Sequence, residues 1–128
     1  MKTSAALAAA FAVPLLVAGC MQPRAEVGRA FYDANCAACH GADGRGAAGV
    51  EVPDLSTFAA RNGGVFDRTK VMSMIDGYLR RDDPSHPMPE FGAVLGGRVV
   101  MIETGPGVLT PAPEILVALA DHLETLQR

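Results

Sequence analysis

Cys36 and Cys39 stand three residues apart with His40 directly after the second, in the run Cys36-Ala37-Ala38-Cys39-His40. Two thiols on one helical turn followed by an imidazole read as a covalent haem attachment site. Each thiol adds to one vinyl group of the porphyrin, and His40 is carried beneath the macrocycle, where its imidazole can bind iron. Two other chemistries use paired cysteines. A structural zinc site needs four ligands, and the only other cysteine, Cys20, belongs to a different signal. A thioredoxin-like pair needs a βαβ setting, which the residues around 36 lack.

That other signal lies at the start of the chain. Lys2 supplies a positive charge and Ala5 to Ala18 an apolar run broken only by Pro14, the pattern of a secretory leader over residues 1–19. The run is shorter than the about 20 apolar residues a membrane-spanning helix needs. It closes on Val17-Ala18-Gly19-Cys20, which resembles the bacterial lipobox, where a cysteine after small residues becomes the lipid-modified first residue of the mature protein. Ordinary cleavage nearby, giving a soluble periplasmic protein, is the alternative. One cysteine for lipid and two for haem leave none for a disulfide.

The 128 residues make one small domain. Removing the leader takes away Lys2 and no acid, leaving ten Lys and Arg against fourteen Asp and Glu, a net charge of about −4, with Lys70 the sole lysine. No basic face suggests nucleic acid. No nucleophile, base and orienting group stand out together, so the chain does not read as an enzyme. So small a domain is marginal alone, and a bound haem would supply part of its core.

The elements that must position the motif follow from spacing. Residues 20–26 form a short tether and residues 27–128 the domain. Val27 to Cys39 reads as the first helix, with Val27, Ala30, Phe31 and Ala34 on its apolar face. Gly28 inside it costs about 1 kcal/mol relative to alanine, which points to a close approach by another helix. Gly41 to Gly49 is a glycine-rich covering loop. Leu55 to Arg61 forms a short helix stopped by Asn62-Gly63-Gly64, and Asp67 caps a helix running to about Tyr78 with Val71, Met72, Met74 and Ile75 at helical spacing. Three prolines within residues 84–89 exclude helix there. Arg98 to Thr104 and Val108 to Thr110 flank the turn Thr104-Gly105-Pro106-Gly107 and predict a β-hairpin. The last helix runs from Pro113 or Glu114 to Gln127, its apolar face Ile115, Leu116, Leu119, Leu123 and Leu126.

With these elements in order, the chain resembles a class I cytochrome c. The resemblance rests on Gly28 to Tyr32, the CAACH run, Pro53-Asp54-Leu55, His86-Pro87-Met88-Pro89-Glu90-Phe91-Gly92 and Leu119 to Leu123. It implies an all-α class I cytochrome c fold wrapped around one covalently bound haem c, with the short β-hairpin inserted before the C-terminal helix. It implies His40 as the proximal iron ligand, Met88 as the distal one, and the carbonyl of Pro53 accepting a hydrogen bond from the unligated nitrogen of His40. A thioether ligand favours reduced iron. His86 is the sharpest rival to Met88. Met72 and Met74 suit core filling and Met101 a packed strand position. Arg61, Asn62 and Tyr78 could reach the haem carboxylates or the ligand sulfur, and the sequence does not choose among them. In the family the glycine matching Gly28 packs against an aromatic residue of the last helix, and His122 stands at that position here.

The function so implied is a one-electron carrier, exported and lipid-anchored at Cys20 in the periplasm. Its partners would be redox proteins such as a quinol-oxidising complex, terminal oxidase, dehydrogenase or reaction centre. A haem sensor or haem-enzyme subunit with an open distal site is the alternative. The segment between Phe91 and Pro113 is expected near the haem rim, shielding haem or docking a partner.

Overall fold

The computed structural model describes residues 22–80, 85 and 87–128. The leader, Cys20 and His86 therefore lie outside the described residues. Helix α1 (Arg24–Asn35) breaks at Cys36, and one further turn, α2 (Ala37–His40), carries the second thiol and the imidazole. A loop leads to a 3-10 turn (Leu55–Thr57) and α3 (Phe58–Arg61), which stops at Asn62 as expected. Helix α4 (Arg68–Asp76) starts under its expected cap: the Asp67 carboxylate accepts the Lys70 N–H at 2.9 Å. It ends at Gly77 rather than Tyr78, which opens a 3-10 turn (Tyr78–Arg80). Strands β1 (Val99–Gly105) and β2 (Val108–Pro113) pair antiparallel, Val99 opposite Pro113 and Met101 opposite Pro111. They feed straight into α5 (Glu114–Thr125).

The crossing of α1 on α5 organises the core. A Cβ on Gly28 would lie 1.8 Å from the carbonyl oxygen of Ala118, so the two backbones touch where only glycine fits. This contact corrects two expectations. The partner of Gly28 is the α5 backbone at Ala118, while His122, one turn on, packs against the Tyr32 ring instead. It also sets the rotation of α1. The buried face carries Gly28 and Tyr32 with Phe31 beside them, and Val27, Ala30 and Ala34 are exposed.

Helix α5 is buried more widely than one stripe. Val117, Ala118 and Ala120 are enclosed along with Leu116, Leu119 and Leu123, because α1, α4 and the hairpin all pack around it. Ile115 and Leu126, expected on the apolar face, are only partly covered. A charged cluster fastens the ends: Arg24 meets Asp121 at 2.9 Å, and Arg68 pairs with both Asp121 and Glu124.

The hairpin has an inner and an outer face. Ile102, Thr104, Thr110 and Ala112 face a cleft whose other wall is Met72, Ser73 and Asp76 of α4 and Leu116 of α5. Met101 points the other way and is 58% exposed, contrary to the packed position expected of it. Val99 to Ile102 are all apolar, so alternation alone does not say which face is inward.

Candidate functional site

Tyr32, Cys36 and His40 lie four residues apart, so α1 and α2 present them to one side. Together with α3, α4, α5 and the chain at Met88 they enclose a cleft of about 690 Å³, open mouth included. Its walls are Leu55, Phe58, Phe66, Val71, Ile75, Leu119 and Leu123, almost wholly apolar. Phe58 and Phe66 meet edge to face, 5.7 Å between ring centres.

Local hydrogen bonds hold the CAACH turn. The Tyr32 hydroxyl donates to the Gly41 carbonyl at 2.8 Å, the Gly46 N–H to the His40 carbonyl at 2.8 Å, and the Ala47 N–H to the Cys39 carbonyl at 2.9 Å. Gly41 makes this fold-back feasible: its φ is +71°, and a Cβ there would lie 2.8 Å from the Gly46 carbonyl oxygen. Cys36 is half-buried and Cys39 exposed. Burial, aided by the charge Cys39 would carry, pushes the Cys36 thiol up to about 11. Burial also lowers the pKa of His40, favouring the neutral imidazole that can ligate a metal.

Nδ1 of His40 is buried with no hydrogen-bond partner. The bond expected from this nitrogen to the Pro53 carbonyl is not made. Pro53 is exposed, and the segment is pinned elsewhere: the Leu55 N–H donates to the Gly44 carbonyl at 2.7 Å. Among the described residues no three His, Cys, Asp or Glu side chains converge to hold a metal ion, so the thiol pair finds no zinc-type donor set. An apolar cleft lined by the Cys36 thiol, with Cys39 exposed three residues on, an imidazole in its wall and an unpaired buried nitrogen fits a covalently held porphyrin.

The cytochrome c family model matches residues 25–94, more than half the chain. This protein belongs to the cytochrome c family. Its cofactor is accordingly a covalently bound haem c, and its chemistry is haem-based electron transfer. No significant match exists among curated proteins or among solved structures.

In this cytochrome two methionines among the described residues reach the cleft, Met88 and Met74. Met72 faces the other side of α4 and Met101 faces solvent, so neither is placed to ligate iron. The Met88 segment is steadied just downstream. Phe91 and Gly92 donate their N–H groups to the carbonyls of Ile75 and Asp76, both at 3.1 Å, satisfying acceptors left open at the end of α4.

Of the polar groups expected near haem, Arg61, Asn62 and Tyr78 do not line the cleft. Lys70 and Gln127 do. Neither stood out in the sequence, although Lys70, one position before Val71 on the α4 face, carried a signal as the sole lysine after the leader.

The hairpin does not border this cleft. Helix α4 presents Lys70, Val71, Met74 and Ile75 to the haem side and Thr69, Met72, Ser73 and Asp76 to the hairpin side. Residues 99–113 thus lie behind α4, which overturns the expected position at the haem rim. The reason is local: β2 runs directly into α5, and Arg98 pairs with Glu114 at 2.8 Å, tying the hairpin base to the start of that helix.

Proposed function

We propose that this cytochrome is a one-electron carrier, exported and held to a membrane by lipid on Cys20, which passes electrons between redox proteins. The observation that carries the reading is the convergence of Cys36, His40 and Met88 on a single apolar cleft. Cys36 and Cys39 would form the thioether links, and His40 and Met88 would ligate the iron. When bound, the haem supplies reversible exchange of one electron between ferric and ferrous iron. The chain's own residues do the rest. The phenylalanine and leucine walls exclude water, and the thioether favours the reduced state. Lys70 offers a cation for the haem carboxylates, while the Gln127 amide is spent on the cleft wall itself. Two ligands leave no open iron position, which suits a carrier better than an enzyme. Quinol-oxidising complexes, terminal oxidases, dehydrogenases and reaction centres are the partner classes this fits.

The test is a spectrum and a potential on the purified exported protein. The expected result is a haem that survives acid–acetone extraction, the weak charge-transfer band of sulfur-ligated ferric iron, and a clearly positive potential. Extractable haem, or rapid cyanide binding with that band missing, would overturn it. The second outcome would favour a sensor or enzyme subunit with an open distal side.

A further inference from the structure

The outer face of the hairpin is apolar and uncovered. Val99 is 60% exposed, Met101 58% and Leu109 62%. Alternation puts Val99 and Met101 of β1 and Leu109 and the exposed Pro111 of β2 on this face, with Met101 opposite Pro111 and Glu103 opposite Leu109. The only acid on that face, Glu103, turns back to accept the Gly107 N–H at 3.0 Å. Contiguous exposed apolar surface marks an interaction site.

We propose that this face lies against the lipid surface and turns the haem cleft away from it, an inference resting on lipid attachment at Cys20. Three residues separate Cys20 from Arg24, and the four chain steps between them reach at most about 14 Å. Arg24 is bonded to Asp121 of α5, the helix into which β2 runs and whose first residue, Glu114, pairs with Arg98 at the hairpin base. The first helix is therefore held at its start to the same helix that carries the apolar hairpin. Inward from that face come the two strands, then α4, then the cleft, because the hairpin and the cleft occupy opposite sides of α4. With the hairpin resting in the interface, the cleft opens toward the aqueous compartment. An apolar patch of this kind supplements a lipid chain rather than replacing it, since stable attachment takes two signals.

The experiment uses the full haem-loaded protein, expressed with its leader and reconstituted into phosphatidylethanolamine–phosphatidylglycerol vesicles, beside a soluble Cys20→Ser variant. Flotation reports anchoring, and hydroxyl-radical footprinting reports the face. The expected result is several-fold slower oxidation of Met101 and Leu109 on vesicles, with Val65, next to the cleft-lining Phe66, unchanged. Met101→Glu, at an exposed position, should still float and keep its haem spectrum while Leu109 loses its protection. Loss of flotation by the wild-type protein would remove the anchor and this orientation together. Normal flotation with Met101 and Leu109 as reactive as in the soluble variant would overturn the lipid-facing surface alone. Protection in the soluble variant that grows with protein concentration would assign the face to a second copy instead.

Discussion

Tyr32 and His122 meet ring against ring, 5.1 Å between centroids and 59° between planes, one helical turn beyond the point where Gly28 touches Ala118. Both are almost fully buried. The other end of Tyr32 donates its hydroxyl to the carbonyl of Gly41, the residue after His40. Helix crossing and haem motif are thus joined through one side chain: whatever fixes α1 on α5 also fixes the turn that carries the imidazole.

The Gly28 contact should be the least forgiving point of this arrangement. Alanine there gains helix propensity of about 1 kcal/mol. It also drives a methyl into the Ala118 carbonyl, where relief requires the two helices to separate. Overpacking costs about 1–3 kcal/mol in ordinary cores, and a backbone partner places Gly28→Ala at the upper end. The expected outcome is a net loss of about 2 kcal/mol in guanidinium unfolding followed by haem absorbance; an unchanged midpoint would show that the helices have room to move.

His122 makes stability depend on pH. Burial holds its pKa below the ordinary value, with Asp33 opposing and Arg29 adding to the shift, and Nε2 has no partner. The unfolded chain therefore binds a proton at this site that the folded chain refuses. The contribution is full above the unfolded pKa of about 6.5 and falls as pH drops from there toward the lower folded value. His122→Phe keeps a ring against Tyr32 and removes the orphan nitrogen, whose burial costs about 1–3 kcal/mol. The variant should gain about 1 kcal/mol and lose part of the decline between neutral and acidic pH. An identical pH slope in both proteins would place the proton elsewhere.

How much of this was legible beforehand depends on the range of the interaction. CAACH needs only one turn of backbone, and Asp67 caps a helix beginning at the next residue, so both are visible locally. Gly28 announced a close contact because glycine has no other reason to sit inside a helix. Its partner did not, since choosing Ala118 over His122 requires the register between helices some 90 residues apart, given that Gly28 and Ala118 are the pair in contact. The hairpin was visible in its turn residues. Its side of α4 was not: Val99-Val100-Met101-Ile102 is apolar at every position, so periodicity distinguished neither inside from outside nor haem side from far side. Gln127 was invisible for the same reason, because its bonds reach back about 70 residues, to Leu55 and Ala59.

Met88 and Met74 both line the cleft, and substitution separates them. Met88→Ala should lower the reduction potential by a sizeable part of the roughly 0.8 V that axial ligands command, and open the iron to imidazole. Met74→Ala should remove wall packing, costing about 2–3 kcal/mol at a partly buried site, while the ligation spectrum stays as it was. The reverse pattern in a redox titration would move the sulfur ligand to α4.

Gln127 clamps the cleft wall from the C-terminal side. Its amide accepts the Ala59 N–H at 2.9 Å and donates to the carbonyls of Leu55 and Leu123 at 3.0 and 2.8 Å. Arg128 extends the clamp, donating to the Ser56 hydroxyl at 2.8 Å and pairing with Asp54 at 2.9 Å. Leu55 and Phe58 stand on the clamped segment and face the haem side, so loosening it admits water to the cleft. Gln127→Ala strands the Ala59 N–H, while the Leu55 and Leu123 carbonyls keep the N–H groups of Phe58 and Leu126. Such a loss costs about 1–3 kcal/mol when the group is buried, and with partial solvent access a loss of about 1 kcal/mol is expected. Hydrogen exchange at Ala59 should quicken by roughly tenfold for each 1.4 kcal/mol of local opening, while Gly41 and Gly46, bonded within the motif, exchange as before. A uniform acceleration across all three amides would mean that the residue supports the whole fold rather than this wall.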